Sequence, residues 1–230
     1  MSVSYNVENT RTKRGITMKL INHFSYTIYE IGMVSFEQPI FYHAPIGIRF
    51  EIGGEADIYI KKGIFRKEIT NPEYLQEAYY RVRTIFNILP KPFTILRIDL
   101  HSIGKELEKE LKVIRDSCHL PEPTERMVQQ FTLEGDEYCI TSLYWDLMST
   151  TLSIDQLLKE IIYADIGGHN FFASAVYLMN PNDKVLFHLY DDRGLDIVAQ
   201  DKETLRPCYQ QYAQWLLDYD REKMQKIFDS

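Results

Sequence analysis

A chain of 230 residues, 45% hydrophobic and 26% charged, can build one large domain or two small ones around an apolar core, and is too hydrophobic for disorder over most of its length. The formal charge is −7: residues 1–15 carry +2 and residues 16–230 carry −9. An acidic body repels phosphate backbones and anionic headgroups, so no nucleic-acid or membrane partner is expected, whereas a basic protein would be drawn in.

The three cysteines, Cys118, Cys139 and Cys208, are widely spaced without a CxxC and read as reduced, packed thiols rather than a zinc or redox site. The start, MSVSYNVENTRTKRG, reads as a polar flexible tail over 1–15; it lacks a signal-peptide core, and no run reaches membrane-span length. A cytoplasmic location is the expectation.

Apolar density predicts a helix over roughly 17–32. GIRFEIGG (47–54) alternates as a strand with Ile48, Phe50 and Ile52 on one face. ADIYIKKGIF follows after Gly53-Gly54-Glu55 and reads as its antiparallel hairpin partner. The clearest helix is 72–89: Asn71 can cap it, Pro72 suits its first position and Glu73 its positive end. Leu75, Ala78, Tyr79, Val82, Ile85, Phe86 and Leu89 form one face, and Pro90 and Pro92 end it. A strand (93–100) and a charged amphipathic helix (104–116) come next.

Pro121 and Pro123 mark an internal boundary, dividing 16–230 into one domain or two close subdomains, 16–120 and 124–230. MVQQFTLEG and EYCITSLYWDL read as strands joined at Glu134-Gly135-Asp136. A helix over 154–165 opens with Ser153 and Gln156 at capping-box spacing and stops at Gly167-Gly168. The last third reads as a meander: FFASAVYLMN, VLFHLY and LDIVAQ joined by the turns Pro181–Lys184 and Asp191–Gly194, then a closing helix burying Leu205, Cys208, Tyr209, Tyr212, Trp215, Leu216 and Tyr219. Pro207 in that helix requires a cap at Thr204 or a neighbour. The class is α+β with a largely antiparallel sheet and packed helices.

HLYDDRGLDIVAQ (188–200) concentrates the polar chemistry. A type I turn with Asp191 first and Gly194 fourth, the glycine at positive φ, would pair Tyr190 with Asp196 and Leu189 with Ile197. Phe187, Leu189, Ile197 and Ala199 then face one way, and His188, Tyr190, Asp196 and Val198 the other. Asp191 would accept turn amides, Arg193 would sit at the tip and Asp196 would meet Tyr190. Asp191 and Asp192, being adjacent, diverge. Asp99 and His101 in RIDLH share a strand face, and in LDYDREK Asp220 can cap a final turn while Arg221 answers a carboxylate. No HxH, HxxxH, HExxH, GxGxxG, GxSxG or phosphate loop is present, so no cofactor or metal is expected.

The C-terminal block resembles a bacterial family defined only as a domain of unknown function, whose members carry YDDRG-D, then Leu-Arg and Tyr, then Trp with a Leu-Asp-Tyr-Asp-Arg ending. The matching residues here are Tyr190 to Gly194, Asp196, Leu205, Arg206, Tyr209, Trp215 and Leu217 to Arg221. GIRFEIG and YLQEAYYRVRTIF are similar to its N-terminal half, so the resemblance spans roughly 45–228 and leaves 1–40 outside. It implies a small bacterial intracellular protein, associated with mobile or toxin-linked gene neighbourhoods, and no reaction.

The leading functional expectation is a non-enzymatic protein-binding module, of the kind that inhibits a basic toxin or nuclease, with Tyr190, Asp192, Arg193 and Asp196 as its exposed surface. The alternative is a metal-dependent hydrolase using Asp191, Asp192, Asp196 and His188. A third reading gives Asp191, Gly194, Arg206, Trp215, Asp218, Asp220 and Arg221 to the fold alone.

Overall fold

The computed structural model describes residues 4–8, 19–63, 66–133, 136–164, 166 and 175–229. The strands are β1 (Ser4–Glu8), β2 (Gly47–Glu51), β3 (Tyr59–Lys62), β4 (Lys67–Thr70), β5 (Ile95–Leu100), β6 (Glu125–Leu133), β7 (Asp136–Asp146), β8 (Ala175–Asn180), β9 (Val185–Leu189) and β10 (Gly194–Ala199). The helices are α1 (Leu20–Ile31), α2 (Pro72–Ile88), α3 (Gly104–Cys118), α4 (Ile154–Tyr163), α5 (Lys202–Gln211) and α6 (Arg221–Phe228). Eight strands form one antiparallel sheet in the order β1-β6-β7-β5-β8-β9-β10-β2, so the class is α+β as expected. No helix among the described residues is long and apolar enough to cross a membrane.

Strand alternation gives each face its own layer. On one face Leu96, Ile98, Leu143, Trp145, Leu178, Phe187, Ile197 and Phe50 meet α2 to α6 in the main core. On the other, Ile95, Tyr144, Tyr177, Leu186 and Val198 meet Ile21, Phe24 and Ile31 of α1 and Ile40 and Ala44 of the segment after it. That second face is where the polar residues collect.

Local chemistry sets the helix starts. Asn71 accepts the Glu73 amide at 3.1 Å with Pro72 at the first position of α2. The Ser153 hydroxyl accepts the Gln156 amide at 3.3 Å, but the Gln156 side chain turns to Glu160 instead of closing a capping box. α1 has no side-chain cap of its own; the Glu125 carboxylate of β6 accepts the Leu20 and Ile21 amides at 3.1 Å each, an anion at the positive end of a helix.

Several expectations need correction. β2 does not pair with the strand after Gly53-Gly54; it pairs with β10, and β3 pairs with β4 in a separate ribbon. Residues 48, 50 and 52 are wholly buried while all of β3 is exposed, so the two runs cannot share a face. Instead the Ile52 and Gly53 amides donate to the Arg193 carbonyl, and Arg81 donates to the Gly53 carbonyl. The prolines at 121 and 123 do not divide the sheet: β5, before them, lies between β7 and β8 from the second half. Ser4–Glu8, within the stretch read as a tail, lies along β6 from Arg126 to Gln130.

The closing helix is two helices, α5 and α6, joined by 3₁₀ turns at Ala213–Trp215 and Asp218–Asp220, and Tyr219 is 86% exposed rather than buried. Asp201, not Thr204, caps α5, which leaves Pro207 inside the helix beyond its first four amides. The β9–β10 register is two residues from the expected one, with Leu189 opposite Leu195 and His188 opposite Asp196. A two-residue shift preserves which face each side chain occupies, so the expected sorting of faces holds despite it. The Glu134-Gly135 turn and the Gly167-Gly168 stop lie outside the described residues.

Candidate functional site

Register places a row of polar side chains across the second face of the sheet. Glu125 lies opposite Tyr144, Tyr144 opposite Arg97, Arg97 opposite Tyr177, Tyr177 opposite His188, His188 opposite Asp196, and Asp196 opposite Arg49. Seven strands thus contribute direct cross-strand neighbours to one line. Buried polar groups are tolerated only when partnered, and nearly all of these are.

At the β2 end Arg49 is the hub. Its Nε lies 3.0 Å from Asp196 Oδ1 and its Nη1 3.1 Å from Asp220 Oδ2. The Phe41 amide donates to Asp196 Oδ2 at 3.3 Å, and the Tyr190 hydroxyl donates to Oδ1 at 3.2 Å. The Tyr42 hydroxyl donates to Asp220 at 2.8 Å. The guanidinium lies over the Tyr42 and Tyr190 rings. Asp196 is fully buried, and burial pushes its carboxyl up to about 6 against the opposing pull of Arg49, the Phe41 amide and Tyr190. Through Arg49, the GIRFEIG, YDDRG-D and LDYDR segments become one structure.

His188 stacks on Tyr177 with ring centroids 4.4 Å apart, and its Nδ1 lies 2.8 Å from the Val176 carbonyl. A carbonyl only accepts, so Nδ1 carries a proton. Burial pushes its pKa down to about 4, against the carbonyl and nearby carboxylates.

In the centre of the row Arg97 makes a two-pronged pair with Asp99, from Nε at 2.8 Å and Nη2 at 2.9 Å, and Nη2 also donates to Ser142 Oγ at 3.1 Å. Phe24, Phe36, Tyr144 and Tyr177 surround the guanidinium. Burial works against the charge of Arg97, yet its pKa is raised, because Asp99, Tyr144 and Tyr177 more than compensate.

The turn residues are spoken for individually. Asp191 accepts the Arg193 amide at 2.8 Å and its Nε at 2.9 Å, as expected of an acidic turn. Asp192 accepts the Tyr74 hydroxyl at 2.6 Å, and burial raises its pKa although Tyr74 opposes this. Gly194 does not have positive φ: its role is spatial, since a Cβ there would stand 2.8 Å from the Tyr190 ring.

The surface expected at Tyr190, Asp192, Arg193 and Asp196 is therefore not a surface. Asp192 is 1% exposed and Asp196 0%, and Tyr190 is half-buried; Arg193 alone is open, its side chain 71% exposed. Nor do Asp191, Asp192, Asp196 and His188 gather: each is held by a different partner, and no group of three His, Cys, Asp or Glu among the described residues is placed to hold a metal ion. Asp99 turns to Arg97, while His101 lies exposed at the end of the strand.

The remaining motif residues fasten the C-terminal segments. Arg221 donates to Asp218 at 2.9 Å and to the Ala213 and Leu216 carbonyls at 3.1 Å each. Arg206 donates to the Phe228 carbonyl at 2.7 Å, tying α5 to the end of α6, and Trp215 stacks on Tyr212. Asp220 sits at the α6 cap position but makes no capping bond, because Arg49 and Tyr42 hold its carboxylate.

Sequence reasoning missed Arg49, Arg97, Tyr42, Tyr74 and Tyr177. A signal for the two arginines was available: each lies mid-strand between large apolar residues, Ile48 and Phe50 or Leu96 and Ile98, and an arginine buried there requires a carboxylate.

The chain is thus an antiparallel α+β protein whose YDDRG-D and LDYDR elements close on one arginine. The profile of the domain of unknown function DUF3885 matches residues 25–220, and the chain belongs to that family. The match begins earlier than residue 45, taking in most of α1. The chain is similar to the "Uncharacterized protein YnaE" of Bacillus subtilis (strain 168), 31% identical over 192 residues that cover 75% of this chain and 86% of that one. No solved structure matches.

Proposed function

We propose that this protein is a binding module without chemistry of its own, an inhibitor of the immunity type that caps a basic toxin or nuclease. The observation that carries this reading is the LDYDR turn. Its internal residues lock the backbone, Asp220 through Arg49 and Arg221 through two carbonyls, while Tyr219 stands 86% exposed and the Asp218 side chain 89% exposed. A rigid turn that presents an aromatic ring and a carboxylate loses little entropy on binding, and tyrosine is favoured as a contact anchor. Tyr42, 42% exposed, extends the patch through its bond to Asp220. The −9 balance of residues 16–230 favours a basic partner and speeds its approach. The carboxylates a hydrolase would need are committed to Arg49, Tyr74 and Arg193.

The test is affinity capture from the native cell with the unaltered chain and with Asp218→Ala/Tyr219→Ala, scored by mass spectrometry. A basic protein should be retained by the first and lost by the second, with circular dichroism showing both chains folded and Tyr219→Ala alone, which leaves the Arg221–Asp218 pair intact, also weakening capture. An unchanged set of captured proteins removes this surface from the proposal.

A further inference from the structure

Beside α1 the second face of the sheet holds a cavity of about 610 Å³, lined by Arg97, Asp99 and Tyr177 and by the Phe36–Gln38 segment. That volume suits a small organic molecule. Three features of the lining define what would occupy it.

The first is unused hydrogen-bonding capacity on a rigid floor. Arg97 is 6% exposed, and its hydrogen bonds run from Nε and Nη2; among the described residues none runs from Nη1. Tyr177, its direct neighbour across the strands, accepts from Gln38 Nε2 at 2.9 Å, which leaves the hydroxyl proton to be donated. Two donors therefore come from directly paired strand positions that both line the cavity. Asp99 meets Arg97 with both oxygens, and each retains accepting capacity next to those donors.

The second is charge. Asp99 neutralises Arg97, and Glu37 at the rim adds a negative charge, so the cavity offers no net attraction to a phosphate or carboxylate. The third is shape: Phe36, Met127 and Ile140 supply apolar walls for a flat ring.

We propose that this cavity is a binding site for an uncharged heterocycle with a lactam edge, the chemical class of the pyrimidine and oxopurine bases: the carbonyl accepts from Arg97 Nη1 and Tyr177, and the adjacent N–H donates to Asp99. The site is separate from the LDYDR turn and independent of the partner-binding reading.

Uracil and hypoxanthine serve as probes, with acetate and inorganic phosphate as anionic controls, measured by saturation-transfer NMR and calorimetry on the full chain. Both lactams should bind and both anions should not. Tyr177→Phe keeps the ring and removes one donor, along with the acceptor for Gln38, so it should weaken the lactams about tenfold in a protein that circular dichroism shows to be folded. Ser25→Leu, at an exposed lining position on α1 whose hydroxyl bonds only the Ile21 carbonyl among the described residues, narrows the cavity from the side opposite the sheet and should abolish binding even if the tyrosine variant proves unstable. Binding of the anions in place of the lactams, no binding of either lactam, or lactam binding undiminished in Ser25→Leu would each overturn the assignment.

Discussion

Replacing Arg49 with methionine isolates the contribution of the hub. Methionine keeps most of the aliphatic stem and its packing, so the change reads out the charge and its hydrogen bonds. Asp196, fully buried, loses its ion-pair partner, and Asp220 keeps its hydrogen bond from Tyr42, with Lys223 as the cation that remains nearby. Breaking a buried pair from one side costs about 3–5 kcal/mol, a large share of the roughly 5–15 kcal/mol that holds a domain together. That cost has a ceiling set by protonation. The Asp196 carboxyl is already pushed up to about 6, and removing Arg49, which pulls it down, raises it further. At pH 7.5 the variant must bury a carboxylate or pay to protonate it; at pH 5 it buries a neutral acid. Urea unfolding at the two pH values should show the full loss at pH 7.5 and about 2 kcal/mol less at pH 5: about 1.36 kcal/mol per pH unit gained by the variant, less the roughly 1.4 kcal/mol that the unaltered Asp196 gains by protonating through 6. Adding Asp196→Asn to Arg49→Met should restore part of the stability at pH 7.5. A loss under about 1 kcal/mol at pH 7.5, or equal losses at both pH values, would refute the role given to Arg49.

Gly194→Ala should lower stability by about 1–3 kcal/mol, the range for overpacking, because the new Cβ displaces the Tyr190 ring and its bond to Asp196; an unchanged melting temperature would show that the ring has room to move. His188 and Asp196 should have opposing pH slopes. The folded pKa of His188, about 4, lies below its ordinary 6.5, so its contribution is complete above pH 6.5 and lost as pH falls towards 4. That of Asp196, about 6, lies above its ordinary 3.8, so its contribution is complete below pH 3.8 and lost as pH rises through 6. Each is worth about 3 kcal/mol, so Asp196→Asn should be destabilised by acid between pH 6.5 and 4 while His188→Phe gains stability over the same range. Urea midpoints that move in parallel in both variants would contradict this.

The legible parts of this fold were those set by near neighbours. Asn71, Pro72 and the apolar face from Ala78 to Phe86 define α2 without reference to anything distant, and its bounds agree within a residue. The meander was legible because alternation and turn residues act over a few positions, and because a register error of two leaves every face unchanged. The pairing of β2 was not legible: Gly53-Gly54 suits a tight hairpin, and only the burial of Ile48 and Phe50 against β10 and the helices decides otherwise.

The candidate site divides along the same line. Asp191 and Arg193, two positions apart, could be paired by inspection, since an aspartate at the head of a turn meets the amide two residues on whatever surrounds it. The sequence by itself therefore determined α1 to α4, the positions of the two meander turns and the face that each residue of β9 and β10 occupies. Only the tertiary structure decided that Arg49 joins Asp196 to Asp220, 24 residues further on, that Tyr74 closes on Asp192, and that Tyr144, Arg97, Tyr177 and His188 stand in one buried line. The reason is that a buried charge takes whichever counter-charge the sheet order brings opposite it, and sheet order is settled by the packing of the whole core.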